Sequence, residues 1–402
     1  MTLLMSPMPH QVLGVKACME QRATLVAYGV GCGKTLVGLH LLHPTKKNLI
    51  ICPASLVKNW EKELKDWEID VKHVEIKSYN KLTWEDKAHT VIFDEAHALK
   101  NRFSKRTVLA EMLCEKAKKI VAMTATPILN RVGEIKSIFE VMGVRLPNYQ
   151  SKKLHEYLIE TGLMIRVRAD EVLELPKPNF SQINIELAET QEIIDLQEEI
   201  KLCYKNSDND LDVMWKDYRM ELVGKLMKIR RHVGVSKTHD AIEQIKNHIE
   251  TNPDEPIIVF AHHKLVLEAI AKTFDAPLLY GKTSLTKRHK YVQEFQDGKH
   301  KVIVCSIQAA GVGLTLTKSH HVMFVEFPWV AAEYDQAYGR AYRKGQAENV
   351  EVIDLVSNHR VDARHQELLA SKRMICDAVT DGDEMLTTNL VQKRLIESIL
   401  GL

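Results

Sequence analysis

Two short stretches hold residue types that together do phosphate chemistry. In "YGVGCGKT", Tyr28 to Thr35, the glycines Gly29, Gly31 and Gly33 lead into Lys34 and Thr35. The strict phosphate-loop pattern G-x-x-x-x-G-K-[ST] wants glycine where Tyr28 stands, but inward-turned backbone N–H groups of the later residues can cradle phosphate oxygens without it. Lys34 would then reach the β and γ oxygens, and Thr35 a magnesium ion. About 60 residues on, "VIFDEAH" brings Asp94, Glu95 and His97 out after an apolar run. Asp94 is placed to hold Mg2+ through its water shell, and Glu95 to orient and deprotonate a water attacking the γ-phosphate. Each motif alone is also compatible with a glycine-rich turn or a solvated acidic strand end; the ordered pair is far more specific.

A third stretch, "QAYGRAYRKGQ", sets Arg340 and Arg343 three apart, so one face of a helix could present both guanidinium groups. Permanently charged, planar arginine stabilises charge on a transferring phosphoryl group, worth ~10³ to 10⁵ in rate. Supplied from a separate domain, these arginines would make hydrolysis depend on domain closure. The plainer reading is a basic helix surface.

The elements that must position these residues are legible as apolar runs. "TLVAY" (24–28), "NLIIC" (48–52), "TVIFDE" (90–95) and "KIVAMT" (119–124) alternate with helical patterns, the rhythm of a parallel sheet buried on both faces. Polar residues at the C-terminal ends of such strands face a shared crevice. A second series follows: "PIIVFAHH" (256–263), "PLLYG" (277–281), "KVIVCS" (301–306), "HVMFVE" (321–326) and "VEVIDLV" (350–356). Between them, "LQEEIKLCYK" and "WKDYRMELVGKLMKIRR" read as amphipathic helices around the turn "NSDND" at 206–210. The expected organisation is an α/β domain at 1–178, a helical insert and linker at 179–250, a second α/β domain at 251–370 and a helical segment at 371–402. In the last, "NLVQKRLIESIL" shows an apolar stripe suited to packing on the second domain.

The 402 residues are 45% hydrophobic and 27% charged, enough for two cores. A net charge of +2 means that a polyanion must be met by a local basic groove. The seven cysteines never form C-x-x-C, which argues against a zinc ribbon or disulfide framework. The first residues carry no charged signal-like region, and no apolar run approaches the ~20 residues of a membrane span. The expectation is an intracellular, cytoplasmic protein with no membrane partner.

Taken in order, these motifs resemble those of superfamily 2 helicase-like ATPases of the Swi/Snf type, most of all the HARP-like annealing-helicase branch. "PMPHQVLGV" resembles the family's start, with Gln11 similar to the glutamine that reads adenine. "YGVGCGKT" matches the phosphate loop, although an acidic pair usual there is absent and Cys32 replaces leucine. "CPASLVKNW", "DEAHALKN" and "MTATPILNR" resemble the next three motifs, and "FAHHK", "SIQAAGVGLTLT" and "QAYGRAYRKGQ" the later ones. The resemblance implies two RecA-like parallel-sheet domains in tandem with ATP and Mg2+ between them. It also implies nucleotide contacts from His97 and Gly313, and coupling of nucleotide to strand through Thr124 and Thr126.

The same resemblance implies a nucleic-acid strand across both domains. Its candidate contacts are Lys58, Asn59, Trp60, Ser78 and Tyr79 in the first, and His262, Lys264, Thr283, Ser306, Gln308 and Thr315 in the second. Hydroxyls, amides and backbone N–H groups suit sequence-independent phosphate contacts; Trp60 also suits simple packing. The implied activity is DNA-dependent ATP hydrolysis with translocation on double-stranded DNA, remodelling forked or branched DNA or displacing bound protein. A strand-separating DNA or RNA helicase and an ATP-switched clamp remain open at this point.

Overall fold

The computed structural model describes residues 7–29, 31–125, 132–149, 151–172, 175–310, 314–329, 331–376 and 388–402. They form two compact units, one up to residue 172 and one from 175 onward. Thr126 and Gly313 lie outside the described residues.

The first unit holds strands β1 (Ala23–Tyr28), β2 (Asn48–Cys52), β3 (Val74–Ser78), β4 (Thr90–Asp94), β5 (Lys119–Met123) and β6 (Met164–Val167). They make one sheet in the order β3-β2-β4-β5-β1-β6, with every pairing parallel. Strands alternate their side chains between faces, and both faces are apolar here. Leu25, Ala27, Leu49, Ile51, Val91 and Phe93 point into one core with Ile135, Ile138 and Phe139 of the helix Val132–Val141. Val26, Tyr28, Ile50, Cys52 and Ile92 point into the other, with Leu36, Val37, Trp60 and Leu64 from the helices Lys34–His40 and Val57–Asp66.

The second unit holds β7 (Asn179–Ile185), β8 (Ile257–Ala261), β9 (Leu278–Leu279), β10 (Val302–Ser306), β11 (His321–Phe324) and β12 (Glu351–Ser357). Its sheet is also wholly parallel, ordered β7-β12-β11-β8-β10-β9. The molecule is thus α/β, two RecA-like parallel-sheet units in tandem. A helical layer of Gln191–Lys205, Leu211–Ser236, Arg360–Cys376 and Thr388–Leu400 shares a core in which Leu222, Leu226 and Ile229 meet Val391, Leu395 and Ile396. The stripe of "NLVQKRLIESIL" is therefore buried within this unit. At the turn before the long helix, Asp208 and Asn209 adopt φ of 53° and 55°, and the Asp210 carboxylate caps the N–H groups of Asp212 and Val213.

Residues 179–250, expected as a helical insert, open instead with the strand β7, which pairs β12 along its whole length. The reason lies in its position: β7 is an edge strand whose first four residues are exposed, so it carries no continuous apolar run. The other strands absent from the sequence reading, β3 and β6, are edges too.

Candidate active site

Strand register assembles the loops of the first unit. Met123 lies beside Val26 on one side and Asp94 on the other, so the chain leaves β1, β4 and β5 at neighbouring points of one sheet end. The glycine loop, Asp94 with Glu95, and Thr124 all follow from those points.

Tyr28 takes the place of a glycine because it does a packing job. Its ring is fully buried and its hydroxyl donates to the carbonyl of His10 at 2.8 Å. That bond ties the helix Pro9–Glu20 to the strand that feeds the phosphate loop. A Cβ at Gly14 would overlap the Tyr28 hydroxyl, so the helix needs glycine at the crossing point. The same helix reaches the loop: His10 Nε2 donates to the carbonyl of Cys32 at 2.9 Å, and Gln11 Nε2 to that of Gly33 at 3.3 Å. Gln11 Oε1 accepts the N–H of Met8 at 2.8 Å, which orients the amide.

Gly31 and Gly33 have φ of +82° and +72°, the left-handed region where glycine avoids a steric cost. A Cβ at Gly33 would also overlap the Gln11 amide. Cys32, between them, is fully buried. Lys34 Nζ donates to the carbonyls of Tyr28 at 3.0 Å and Gly29 at 3.2 Å, which holds the ammonium over the loop it follows. Thr35 is half-buried at the start of the next helix.

Asp94 is buried and fully engaged. Its Oδ2 accepts the indole N–H of Trp60 at 2.9 Å, its Oδ1 the backbone N–H of Glu95 at 3.0 Å, and its carbonyl the Tyr79 hydroxyl at 2.9 Å. Burial first, then the neighbouring Glu95 charge, push its carboxyl up to about 6, against the pull of the Trp60 bond and the Lys34 charge. A carboxylate so desolvated, facing a lysine, is a site that favours an added cation.

Glu95 sits at φ +52°, an uncommon conformation for a side chain of its size, and one that is often kept where function needs it. Its Oε2 lies 3.3 Å from His97 Nδ1, which is itself 3.3 Å from Thr124 Oγ1. A polar chain thus runs from the end of β4 to the end of β5. The residues fit a triphosphate with Mg2+: a cradle open only to glycine, a lysine, a hydroxyl and a buried carboxylate.

Trp60, Tyr79 and Ser78 are corrected by the structure as strand contacts. They are 1%, 5% and 6% exposed, so little of any of them faces outward; Trp60 and Tyr79 bond to Asp94 instead, which for Trp60 is the packing use its sequence context also suits. Lys58 is exposed and Asn59 half-buried on the same helix. The bracing role of Trp60 had no sequence signal beyond its closeness to a buried apolar helix face.

In the second unit the helix Ala331–Tyr338 stops before the arginines, which is a further correction. Arg340 and Arg343 lie in consecutive turns, with N–H bonds to the carbonyls of Ala337 and Ala341. Arg340 is buried, while Arg343 donates to the carbonyl of Leu314 at 2.8 Å and to Thr315 Oγ1 at 3.1 Å. Arg343 thereby steadies the loop that carries the exposed Thr315; Gln308, on the short helix Ile307–Ala310, is exposed as well.

Ser306 is 8% exposed and its hydroxyl accepts the N–H of Ala309, so it closes a turn instead of facing a strand. Thr283 Oγ1 likewise serves the turn, accepting from Tyr280 N–H and donating to Leu278 O. Lys264 is exposed and paired with Glu268 at 3.0 Å. The half-buried His262 depends on a residue the sequence reading passed over, Glu326. Its carboxylate accepts the N–H groups of His262 and His263, both at 2.8 Å, and His263 Nδ1. Burial alone would raise the Glu326 carboxyl, but these donors hold it at about 2.

Known proteins are similar to this chain in sequence. The helicase conserved C-terminal domain family matches residues 240–345. The human "DNA annealing helicase and endonuclease ZRANB3" is 26% identical over 93% of this chain and 40% of its own length. A Caenorhabditis elegans "SWI/SNF-related matrix-associated actin-dependent regulator of chromatin subfamily A-like protein 1 homolog" is 27% identical over 88% of this chain and 59% of its own. The chain thus spans about 40 to 60% of the length of these relatives. A solved "Sulfolobus solfataricus SWI2/SNF2 ATPase core in complex with dsDNA" is 22% identical, covers 99% of both chains and superposes with a TM-score of 0.40.

Paired parallel-sheet units with a glycine loop and an acidic strand end define the helicase-like class. Within it, the ordered motifs, with likeness across nearly the whole chain, are similar to those of superfamily 2 helicase-like ATPases of the Swi/Snf type.

Proposed function

We propose that the chain hydrolyses ATP in a DNA-stimulated manner and uses the cycle to move on double-stranded DNA, remodelling forked or branched structures or displacing bound protein. The observation that carries the chemical half is the Asp94–Glu95 pair: a buried carboxylate braced by Trp60 and under the field of Lys34, followed by a left-handed glutamate. Gly31, Gly33, Lys34 and Thr35 would hold the phosphates, Gln11 the base, and Thr35 with Asp94 a Mg2+ ion. That ion would neutralise charge on the β and γ oxygens. Glu95 would orient the attacking water and take its proton, with His97 fixing the carboxylate. Arg340 and Arg343 would supply permanent positive charge for the transferring phosphoryl group.

The DNA half rests on the relatives, which are described as acting on DNA or chromatin. Lys58, Lys264, Gln308 and Thr315 are the accessible positions to contact phosphates. The deciding experiment measures ATP hydrolysis with no polymer, single-stranded DNA, duplex DNA, forked DNA and RNA, with Lys34→Ala as the blank. Duplex or forked DNA should stimulate most, and steeply less at high salt, since phosphate contacts release counterions. Stimulation by RNA alone would overturn the DNA reading in favour of an RNA helicase; a Glu95→Gln variant with full remodelling activity would overturn the motor in favour of a clamp.

A further inference from the structure

Titratable side chains gather at the end of the second sheet where its strands begin, and none of them is among the candidate site residues described above. Glu255 precedes β8, His320 precedes β11, His321 opens it, and Glu351 opens β12. Parallel pairing sets His321 directly between Ile257 and Glu351, so these groups converge by register. His321 Nε2 lies 2.7 Å from Glu255 Oε2, and His320 Nε2 lies 3.6 Å from the same oxygen. The His320 and His321 rings are 4.1 Å apart, centroid to centroid, and His248 stands 4.6 Å from His321.

We propose that Glu255, His320 and His321 form a site for a divalent transition-metal ion, with Zn2+ the best fit. One donor atom from each of the three lies within 4.8 Å of the others. A tetrahedral Zn2+ with bonds of about 2.0–2.1 Å wants its ligands roughly 3.3 Å apart. The Glu255 side chain, 43% exposed, and that of His320, 19% exposed, can rotate to meet that spacing. Two imidazoles and a carboxylate suit a borderline ion better than Mg2+ or Ca2+, which prefer all-oxygen sites.

The surroundings resemble a prepared site rather than a chance surface cluster. The outer nitrogen of His321, Nδ1, is buried, makes no hydrogen bond among the described residues and stands 3.5 Å from Glu351 Oε2. A carboxylate behind the second nitrogen of a liganding histidine fixes its tautomer and strengthens it as a donor. His248 Nε2 donates to the carbonyl of Glu255 at 2.9 Å and so fixes the loop that carries the carboxylate. Ser319 does the same for the histidine pair: its hydroxyl lies 2.6 Å from the carbonyl of Pro256 and 2.8 Å from that of His321, either of which can take its one proton, and it accepts the N–H of His321. A bound ion would staple the starts of β8 and β11.

The test titrates the whole protein, free of nucleotide, with Co2+ and Zn2+, reading the ligand-field absorption of bound Co2+ and the melting temperature with Zn2+. Wild type should bind one Co2+ with tetrahedral-type absorption and melt higher in Zn2+. His320→Ala and Glu255→Gln, both at partly exposed positions, should melt normally without metal yet lose the absorption and the Zn2+ shift. Glu351→Gln should bind about tenfold more weakly. Lys34→Ala should keep the signal, which separates it from any metal at the phosphate loop. Absence of the signal in wild type, or its full retention in His320→Ala and Glu255→Gln, would overturn the site.

Discussion

The indole nitrogen of Trp60 donates to Asp94 Oδ2 at 2.9 Å, joining the helix after β2 to the acidic end of β4. The bond favours the ionised form of a carboxylate that burial pushes toward neutrality. Trp60→Phe keeps the apolar fill and removes the donor. It should destabilise the first unit by about 1.5–3 kcal/mol, as expected for a buried hydrogen bond to a charged group. ATP hydrolysis should fall more at saturating Mg2+ than the melting shift alone explains, and a variant with unchanged turnover would refute the bracing role.

Tyr28 and Gly14 should behave as a pair. Tyr28→Phe loses the bond to His10 and should cost about 1 kcal/mol. Gly14→Ala drives a methyl into the hydroxyl and should cost about 1–3 kcal/mol in the wild-type background. Combining the two should recover part of that loss, because the overlapping oxygen is gone. Urea denaturation of the four proteins gives the coupling, and simple additivity would argue against the contact.

Glu95→Gln should slow hydrolysis by about 10² to 10⁴ while nucleotide still binds, as for loss of a general base. His97→Ala breaks the link to Thr124 and leaves the Glu95 carboxylate present but less firmly oriented, so basal hydrolysis should persist at a reduced rate and stimulation by DNA should fall further. Equal loss of basal and stimulated rates in His97→Ala would place it in the chemistry instead of the coupling.

Gly234→Ala tests the Glu326 hub. Its Cβ would overlap the Glu326 carboxylate, which three donors hold in place and which therefore cannot swing aside. The second unit should lose about 1–3 kcal/mol, read by thermal melting.

Acid should weaken that unit through the half-buried His262 and the buried His365. Burial, then the Arg230 charge, push His262 down from 6.5 to about 4, and burial lowers His365 in the same direction. The unfolded chain then binds more protons than the folded one between those values. Stability from His262 is complete above pH 6.5 and is lost as pH falls toward about 4. Melting temperature measured from pH 7 to 5 should decline, and His262→Gln should flatten the slope.

The sequence by itself determined the central strands and marked the residues proposed for the nucleotide chemistry. Runs such as "NLIIC" and "TVIFD" must be buried on both faces, and a glycine loop ending in Lys34 has few other uses. It did not determine the edges: β3, β6 and β7 are only partly covered, so their patterns mix polar and apolar residues. Nor could it assign Trp60, Tyr79 and Ser306 to bracing, or end the helix before Arg340, because identical residue types serve a surface or a core equally well. Tertiary structure decided those roles by bringing together groups far apart in the chain: Trp60 against Asp94, Tyr28 against His10, Glu326 against His263 and Glu255 against His321. Hydrogen bonds and burial at such contacts depend on register between strands, and no local pattern encodes it.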